Sequence, residues 1–368
     1  MLGNSVLRAQ KPIFDDREYH SVEECDMPMF SANLPMNTPE LCGGDMRNIS
    51  PSALQTQGWE NESVPKVSVI IPTKNRADDL RRTVEDLIVQ TRRPDEIIIV
   101  DQSSVPSFEP ASVPIPVNYI YAPHISGAAV ARNLAMDRAT GDIWLFLDDD
   151  VILEPEYVEQ IVLAYSAEVA GVSGIITNYT VPSLSRRLFE SVFVRGAFHD
   201  DRQPVYWHAD ALRFQGPQRV KQFGCGVMSF RGSVVRDLRF DPQLTGCSLA
   251  EDIDFCARLP RGAILVIAPK ARLFHKRSPA GRATAHWLDE HGQSSTYMRL
   301  RNWRRGLRDD LSFAWLQIGY AVMATIGSLK RGSLEPFRAW RQGRARGRAL
   351  GSPSAMSSSY ACAKETPA

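Results

Sequence analysis

At 368 residues, 43% hydrophobic and 23% charged, the chain has the ordinary composition of a globular protein. It is too long for a small module and has room for one catalytic domain of about 200 to 250 residues with appendages. The formal net charge of +1 conceals polarity: residues 1–62 carry 4 basic and 10 acidic residues, and residues 299–348 carry 12 basic and 3 acidic.

Cys25, Cys42, Cys225, Cys247, Cys256 and Cys362 form no CxxC pairs and no zinc-ligand rhythm. A disulfide framework and a structural zinc are not expected, and a reducing compartment fits best. The N-terminus shows no basic stretch followed by an apolar core and a cleavage site, so no secretory signal is read there and catalysis is expected to face the cytoplasm.

Residues 1–63 show no sustained period of 2 or 3.6 and read as an irregular N-terminal extension. Regular structure starts with the β-branched run Lys66 to Pro72, followed by a loop through Thr73, Lys74, Asn75 and Arg76. Leu80, Val84, Leu87 and Ile88 then recur at helical spacing, predicting a helix over 79–90. Glu96 to Asp101 reads as a second buried strand, which completes a βαβ unit and puts Pro72 and Asp101 on one sheet edge.

Val117 to Tyr121 predicts a third strand. Ser126 can cap a helix through Ala128, Ala131, Leu134 and Ala135 that carries Arg132 and Asn133 and ends near Gly141. Ile143 to Leu147 reads as a fully buried strand that delivers Asp148, Asp149 and Asp150 at its C-terminal edge. Three adjacent carboxylates repel each other and suit a hard divalent cation such as Mg²⁺ or Mn²⁺; the alternative is an acidic turn. In an extended segment Asp148 and Asp150 point one way and Asp149 the other.

Glu154-Pro155 should start a helix with the stripe Val158, Ile161, Val162 and Tyr165, and Val172 to Thr177 a short strand. The stretch up to residue 222, with Trp207 and His208, reads as an acceptor-side flap. Gly224 to Arg231 is a glycine loop, close to a ligand or a plain turn, feeding a strand. A helix from Glu251 should turn Ile253, Cys256 and Ala257 inward and leave Glu251 and Asp252 at its N-terminal end, as cleft carboxylates or caps. Ile264 to Ala268 predicts another short strand, and Leu273, Phe274 and His275 follow it; His275 could complete an Asp/Asp/His ligand set.

In their order and spacing, Val69 to Thr73, Ile99 to Asp101, Ala131 to Asn133, Asp148 to Asp150, Glu251 to Asp254, and His275 resemble the inverting glycosyltransferases of family 2. The resemblance covers roughly Lys66 to Arg277. It implies an α/β GT-A nucleotide-diphospho-sugar transferase fold, a Rossmann-like mixed sheet flanked by helices, over residues 64–280. Beyond it the chain reads as a helical basic C-terminal region over 281–350, and Ser-rich composition from Gly351 on argues for a disordered tail over 351–368.

It further implies that Thr73, Arg76, Asp101, Arg132 and Asp148 bind the donor. Asp150, with Asp148 and His275, would hold Mg²⁺ or Mn²⁺. Asp252 would be the general base, with Glu251, Asp254 and Gly224 on the acceptor side and Asp254 as the rival base. Processive members carry Gln-x-x-Arg-Trp after the base. Here Arg299-Leu300-Arg301-Asn302-Trp303 lacks the Gln and has no Arg in register, so addition of one sugar is expected; Tyr297, Arg301 and Asn302 resemble rhamnosyl- and galactofuranosyltransferase-type relatives.

The implied partners are a nucleotide-sugar donor and a glycan or polyprenyl-diphosphate-linked acceptor of cell-surface or exopolysaccharide synthesis. Polyprenyl phosphate or a protein is the alternative acceptor, and a nucleotide-sugar-binding protein without catalysis the alternative class. Leu311 to Leu329 is an uncharged run of 19 residues that could span, lie on or avoid a membrane. With the arginines beyond it, peripheral contact at the inner face of the cytoplasmic membrane is expected. The basic tail lacks interleaved aromatic platforms, so no nucleic-acid partner is expected.

Overall fold

The computed structural model describes residues 64–179, 184–194, 214–220, 222–224, 226–244, 251–277, 287–301 and 306–351. The N-terminal extension, the flap residues Trp207 and His208, Cys225, Asn302, Trp303 and the tail beyond 351 lie outside the described residues.

The strands are β1 (Val67–Thr73), β2 (Glu96–Asp101), β3 (Val117–Tyr121), β4 (Ile143–Leu147), β5 (Val151–Leu153), β6 (Val169–Ile176), β7 (Gln218–Val220), β8 (Val227–Arg231) and β9 (Ile264–His275). They form one mixed sheet in the order β3-β2-β1-β4-β8-β6-β9-β5, with β7 pairing β9 off that path. The first four strands of that order are parallel, and β8 runs antiparallel to both β4 and β6.

Both faces of the central strands are covered, which explains why they read as unbroken apolar runs. On one face Val69, Ile71, Ile97, Ile99, Leu145 and Leu147 meet α1 (Ala77–Ile88) and α3 (Tyr157–Leu163). On the other, Ile70, Ile98, Trp144 and Phe146 meet α2 (Ala128–Met136), α5 (Gly232–Val235) and α6 (Glu251–Ala257). Each large side chain buried this way contributes about 1.5–3 kcal/mol. Phe146 lies edge-on to both Phe240 and Phe255, and those two rings stack 4.2 Å apart.

The structure corrects three local expectations. Helix α2 is preceded by Gly127 at φ +104, with no side-chain cap, and ends at Met136; that backbone angle suits glycine, so Ser126 lies one residue too early to cap. In α6, Ala257 is exposed and Ile253 half-buried, while Phe255 and Cys256 are buried. The Phe240 stack draws Phe255 inward and rotates the helix away from the expected face. The strand expected over Ile264 to Ala268 runs on to His275. The β6–β9 register shifts between Ser173 and Ile175, so Pro269, which has no amide hydrogen, falls where the ladder is interrupted.

Helix α4 (Leu184–Phe189) continues as a wider turn over Glu190–Val194. Helices α7 (Trp287–Arg301), α8 (Leu307–Arg331) and α9 (Glu335–Leu350) follow the sheet in sequence and build a smaller core from Leu288, Leu316, Tyr320, Ala324 and Trp340. Cys256 is free and buried, and burial pushes its thiol up to about 12.

Candidate active site

The strand ends carry the site. Asp148, Asp149 and Asp150 leave the C-terminal edge of β4 and lead directly into β5. β5 pairs antiparallel with β9 so that Val151 faces His275, and the Lys276 amide donates to the Asp150 carbonyl at 2.9 Å. This register brings a histidine 125 residues downstream beside the aspartates. Asn178 fixes it further: its Oδ1 accepts the His275 amide at 3.0 Å and its Nδ2 donates to the His275 carbonyl at 2.9 Å.

His275 Nδ1 accepts the Arg277 amide at 3.1 Å, and Nε2 faces Asp148 Oδ2 at 3.2 Å and Asp150 Oδ1 at 3.5 Å. Ligating atoms of Asp148, Asp150 and His275 all lie within 4.8 Å of one another. Two carboxylates and one imidazole are a donor set that suits Mg²⁺ or Mn²⁺.

Asp149 lies in the turn that joins β4 to β5 and takes other partners. It accepts a hydrogen bond from Thr73 Oγ1 at 2.7 Å and one from Arg76 Nη1 at 2.9 Å, and its carbonyl accepts from Thr83 Oγ1 at 2.8 Å. Burial raises its carboxyl to about 6, against the pull of Thr73 and Arg76. Arg76 also lies 3.5 Å from Asp150. Thr73 and Arg76, read from the sequence as donor-binding residues, thus hold the middle aspartate in this structure.

Asp101 is buried at the end of β2. Its oxygens accept the Ser103 amide at 2.8 Å, the Ser107 amide at 2.9 Å, the Ser107 hydroxyl at 2.6 Å and the Tyr119 hydroxyl at 2.6 Å. Burial opposes ionisation, but these donors outweigh it and hold the carboxyl below its usual range. Asp101 therefore orders the loop that follows β2.

Arg132 joins the two halves of the site. One arm donates to Asp148 Oδ1 at 3.0 Å, the other to Glu251 Oε1, and the guanidinium lies 5.6 Å from the Phe240 ring centroid. Burial raises Glu251 to about 7, opposed by Arg132. On the same helix Asp252 is buried, and its Oδ1 accepts the Ile253 amide at 2.8 Å. Asp254 is fully buried and gripped by Arg258 at 2.6 and 3.0 Å. It is an ion-paired core carboxylate.

Residues 68–235 match the family model described as Glycosyl transferase family 2. Over these residues the chain is similar to glycosyl transferase family 2. The succinoglycan biosynthesis protein ExoM of Rhizobium meliloti is 26% identical over 268 residues, covering 68% of this chain and 81% of ExoM. The pre-mycofactocin glycosyltransferase of Mycobacterium tuberculosis is 28% identical over 215 residues, 57% of this chain but only 42% of that protein. S. aureus TarS 1-349, in its crystal structure with UDP-GlcNAc, superposes with a TM-score of 0.50 at 17% identity, over 76% of this chain and 79% of that one. That likeness shows the GT-A-like fold.

Within this glycosyltransferase the match spans β1 to α5, so Glu251, Asp252 and His275 lie beyond it. From the C-terminal side, α7 sends Tyr297 to donate to Asp241 Oδ2, and Arg301 reaches the same oxygen at 3.0 Å. Tyr297 and Arg301 thereby clamp the turn after Phe240, whose ring stacks on Phe255 of the helix bearing Asp252.

The glycine loop read from the sequence over Gly224 to Arg231 holds its close contact at Gly226. Gly224, the glycine singled out from the sequence, is half-buried in the same loop. Gly226 has φ +79, and a Cβ there would lie 2.4 Å from Asp148 Oδ2. Gly226→Ala should therefore displace Asp148, lower metal and donor affinity at least about tenfold and cost about 1–3 kcal/mol of stability. Titration calorimetry and urea denaturation would check both; an unchanged donor affinity would show that Asp148 tolerates the intrusion.

Proposed function

We propose that the chain is a metal-dependent, inverting, non-processive glycosyltransferase. It moves one sugar from a nucleotide-sugar donor to a hydroxyl of a glycan or polyprenyl-diphosphate-linked acceptor in cell-surface or exopolysaccharide synthesis, at the cytoplasmic side of the membrane. Residues 64–280 act as the catalytic domain and 281–350 as a helical basic extension. The carrying observation is the meeting of Asp148, Asp150 and His275 at the sheet edge, joined through Arg132 to the start of α6. ExoM, a succinoglycan biosynthesis protein, supports the class of pathway.

Asp148, Asp150 and His275 would hold Mg²⁺ or Mn²⁺. A bound divalent cation supplies Lewis-acid stabilisation to a departing nucleoside diphosphate. The protein must also remove the proton of the acceptor hydroxyl as that oxygen attacks the anomeric carbon. Three carboxylates stand at the start of α6: Glu251 beside Arg132, Asp254 beside Arg258, and Asp252, all buried. Asp252 takes the role of base, as the motif order that resembles family 2 implies, with Asp254 as its rival. A single carboxylate acting on the acceptor requires no covalent glycosyl-enzyme intermediate, so the anomeric configuration inverts.

The test is consumption of UDP-, GDP- and dTDP-sugars by purified protein with Mg²⁺ or Mn²⁺, beside Asp150→Ala. One donor should be consumed only with metal, and Asp150→Ala should weaken metal and donor binding at least about tenfold, since even groups that only orient metal ligands are worth about 10- to 100-fold. If no donor binds with either metal, the reading fails. An acceptor panel of glycan, polyprenyl diphosphate, polyprenyl phosphate and peptide then fixes the acceptor.

A further inference from the structure

We propose that α8 and α4 form a docking face that lies in the plane of an anionic lipid bilayer, so that the enzyme rests on the membrane without crossing it. The proposal deepens the reading above by naming the surface that would meet a lipid-linked acceptor. It starts from a polarity inversion. Ser312, Gln317 and Ser328 of α8 are turned into the protein, where Gln317 Nε2 donates to Ser295 Oγ at 3.1 Å and Trp340 Nε1 donates to Gln317 Oε1 at 3.3 Å. Leu311, Ile318, Val322, Ile326 and Leu329 are exposed, Ile318 at 50% and Leu329 at 78%.

Their spacings of seven, four, four and three residues place them on one stripe about 27 Å long. A helix bathed in water would show the opposite arrangement, since a continuous exposed aliphatic patch marks an interaction site.

A second stripe adjoins it. Leu184, Leu188 and Val192 follow one another at four-residue intervals and are exposed. Their segment is fastened to α8 by Phe189 stacked on Tyr320 at 5.8 Å, by Phe193 against Trp315 at 5.3 Å, and by Trp315 Nε1 donating to the Val192 carbonyl at 2.8 Å.

Charge selects the occupant. Lys330 and Arg331 end α8, and α9 exposes Arg338, Arg341, Arg346 and Arg348. Arg331 pairs with Glu335 and Arg346 with Asp289, and Asp309 and Asp310 lie at the far end of α8, so Lys330, Arg338, Arg341 and Arg348 leave this end net positive. A second copy would bring this positive charge against itself, whereas anionic headgroups neutralise it.

The in-plane orientation follows from packing. By length and composition α8 is apolar enough to cross a membrane, with a mean hydropathy of 1.2 over its best window. But Leu316, Tyr320 and Ala324 hold it to Leu288 and Trp340, and a Cβ at Gly319 would lie 2.6 Å from the Phe193 ring. Threading α8 through hydrocarbon would strip these contacts and drag polar and arginine-bearing neighbours into an apolar medium. Arg299 of α7 pairs with Asp310 at the start of α8. The docking face is thus linked through α7 to the clamp on Asp241 and the helix carrying Asp252.

The test is co-sedimentation of the full chain with phosphatidylcholine vesicles with and without phosphatidylglycerol. Expected is binding that requires phosphatidylglycerol, weakens with salt and falls at least tenfold in Ile318→Glu/Val322→Glu, while donor hydrolysis in solution is unchanged. Leu188→Glu, on the other stripe, should weaken binding too and serves if the double variant does not fold. Absence of sedimentation overturns the proposal, as does retention after an alkaline carbonate wash, which marks a span. So does conversion of a dimer to a monomer by Ile318→Glu/Val322→Glu with vesicle binding intact, which marks a second copy. Vesicle binding without any donor turnover leaves the docking face standing and refutes the enzymatic reading.

Discussion

Asp252→Asn should leave donor binding intact and lower kcat by a factor of about 10²–10⁴, equivalent to about 2.7–5.5 kcal/mol of transition-state stabilisation. Asparagine keeps the size and the acceptor oxygen that meets the Ile253 amide, but it cannot take a proton. The control is Asp254→Asn, two residues along the same helix. That change leaves Arg258 facing a neutral amide beside a buried ion-pair site, so its expected signature is lost stability rather than lost chemistry. Pre-steady-state turnover with saturating donor separates the two. If Asp254→Asn were inert yet folded and Asp252→Asn active, the base would be Asp254 and the assignment would exchange.

The sequence exposed what is local and concealed what is long-range. Val69 to Ile71, Ile97 to Val100 and Ile143 to Leu147 were readable because strands covered on both faces leave no room for polar residues, and the structure buries each of these residues. The separate fates of Asp149 and its two neighbours were expected from strand alternation, but the structure places Asp149 and Asp150 in a turn between β4 and β5. The pairing of β5 with β9 was not: β5 is three residues long and its partner lies more than a hundred residues away, so nothing in the local pattern announces the ladder that delivers His275.

The α6 carboxylates show the same limit at finer scale. Asp252 and Asp254 differ by two positions, about 200° around a helix, and the structure buries both, with Asp254 paired to Arg258 four residues on; which way the helix turns is set by the stack between Phe240 and Phe255. Hydrophobic periodicity could not place that stack, because Phe240 comes from a separate loop. The glycine loop at 224–226 was readable, but not that Gly226 is the glycine that needs empty space, because that need is a property of its neighbour Asp148 and not of the residues around it in sequence.

Arg132→Met should destabilise the protein by about 3–5 kcal/mol, the effect of removing one partner from a buried ion pair. Arg132 is buried and faces Asp148 with one arm and Glu251 with the other, so methionine fills the space but leaves a buried carboxylate uncompensated. Among the described residues Glu251 Oε2 has no hydrogen-bond partner to share the load. Burial already raises Glu251 to about 7 in the wild type. Between the ordinary glutamate range and 7 the native protein therefore holds a proton that the unfolded chain has released, and this group makes stability fall as pH rises. Without Arg132 the carboxyl rises further, so the deficit of the variant should be larger at pH 8 than at pH 5.5. Glu251→Gln in the Arg132→Met background should recover part of the loss, and Arg132→Lys should fall between, since an ammonium keeps the charge but cannot span two carboxylates as a guanidinium fork does. Urea denaturation at the two pH values measures all four proteins. A deficit under about 1 kcal/mol with no pH dependence would mean that Asp148 and Glu251 are held apart by other contacts, and that the donor and acceptor sides of the site are not joined through Arg132.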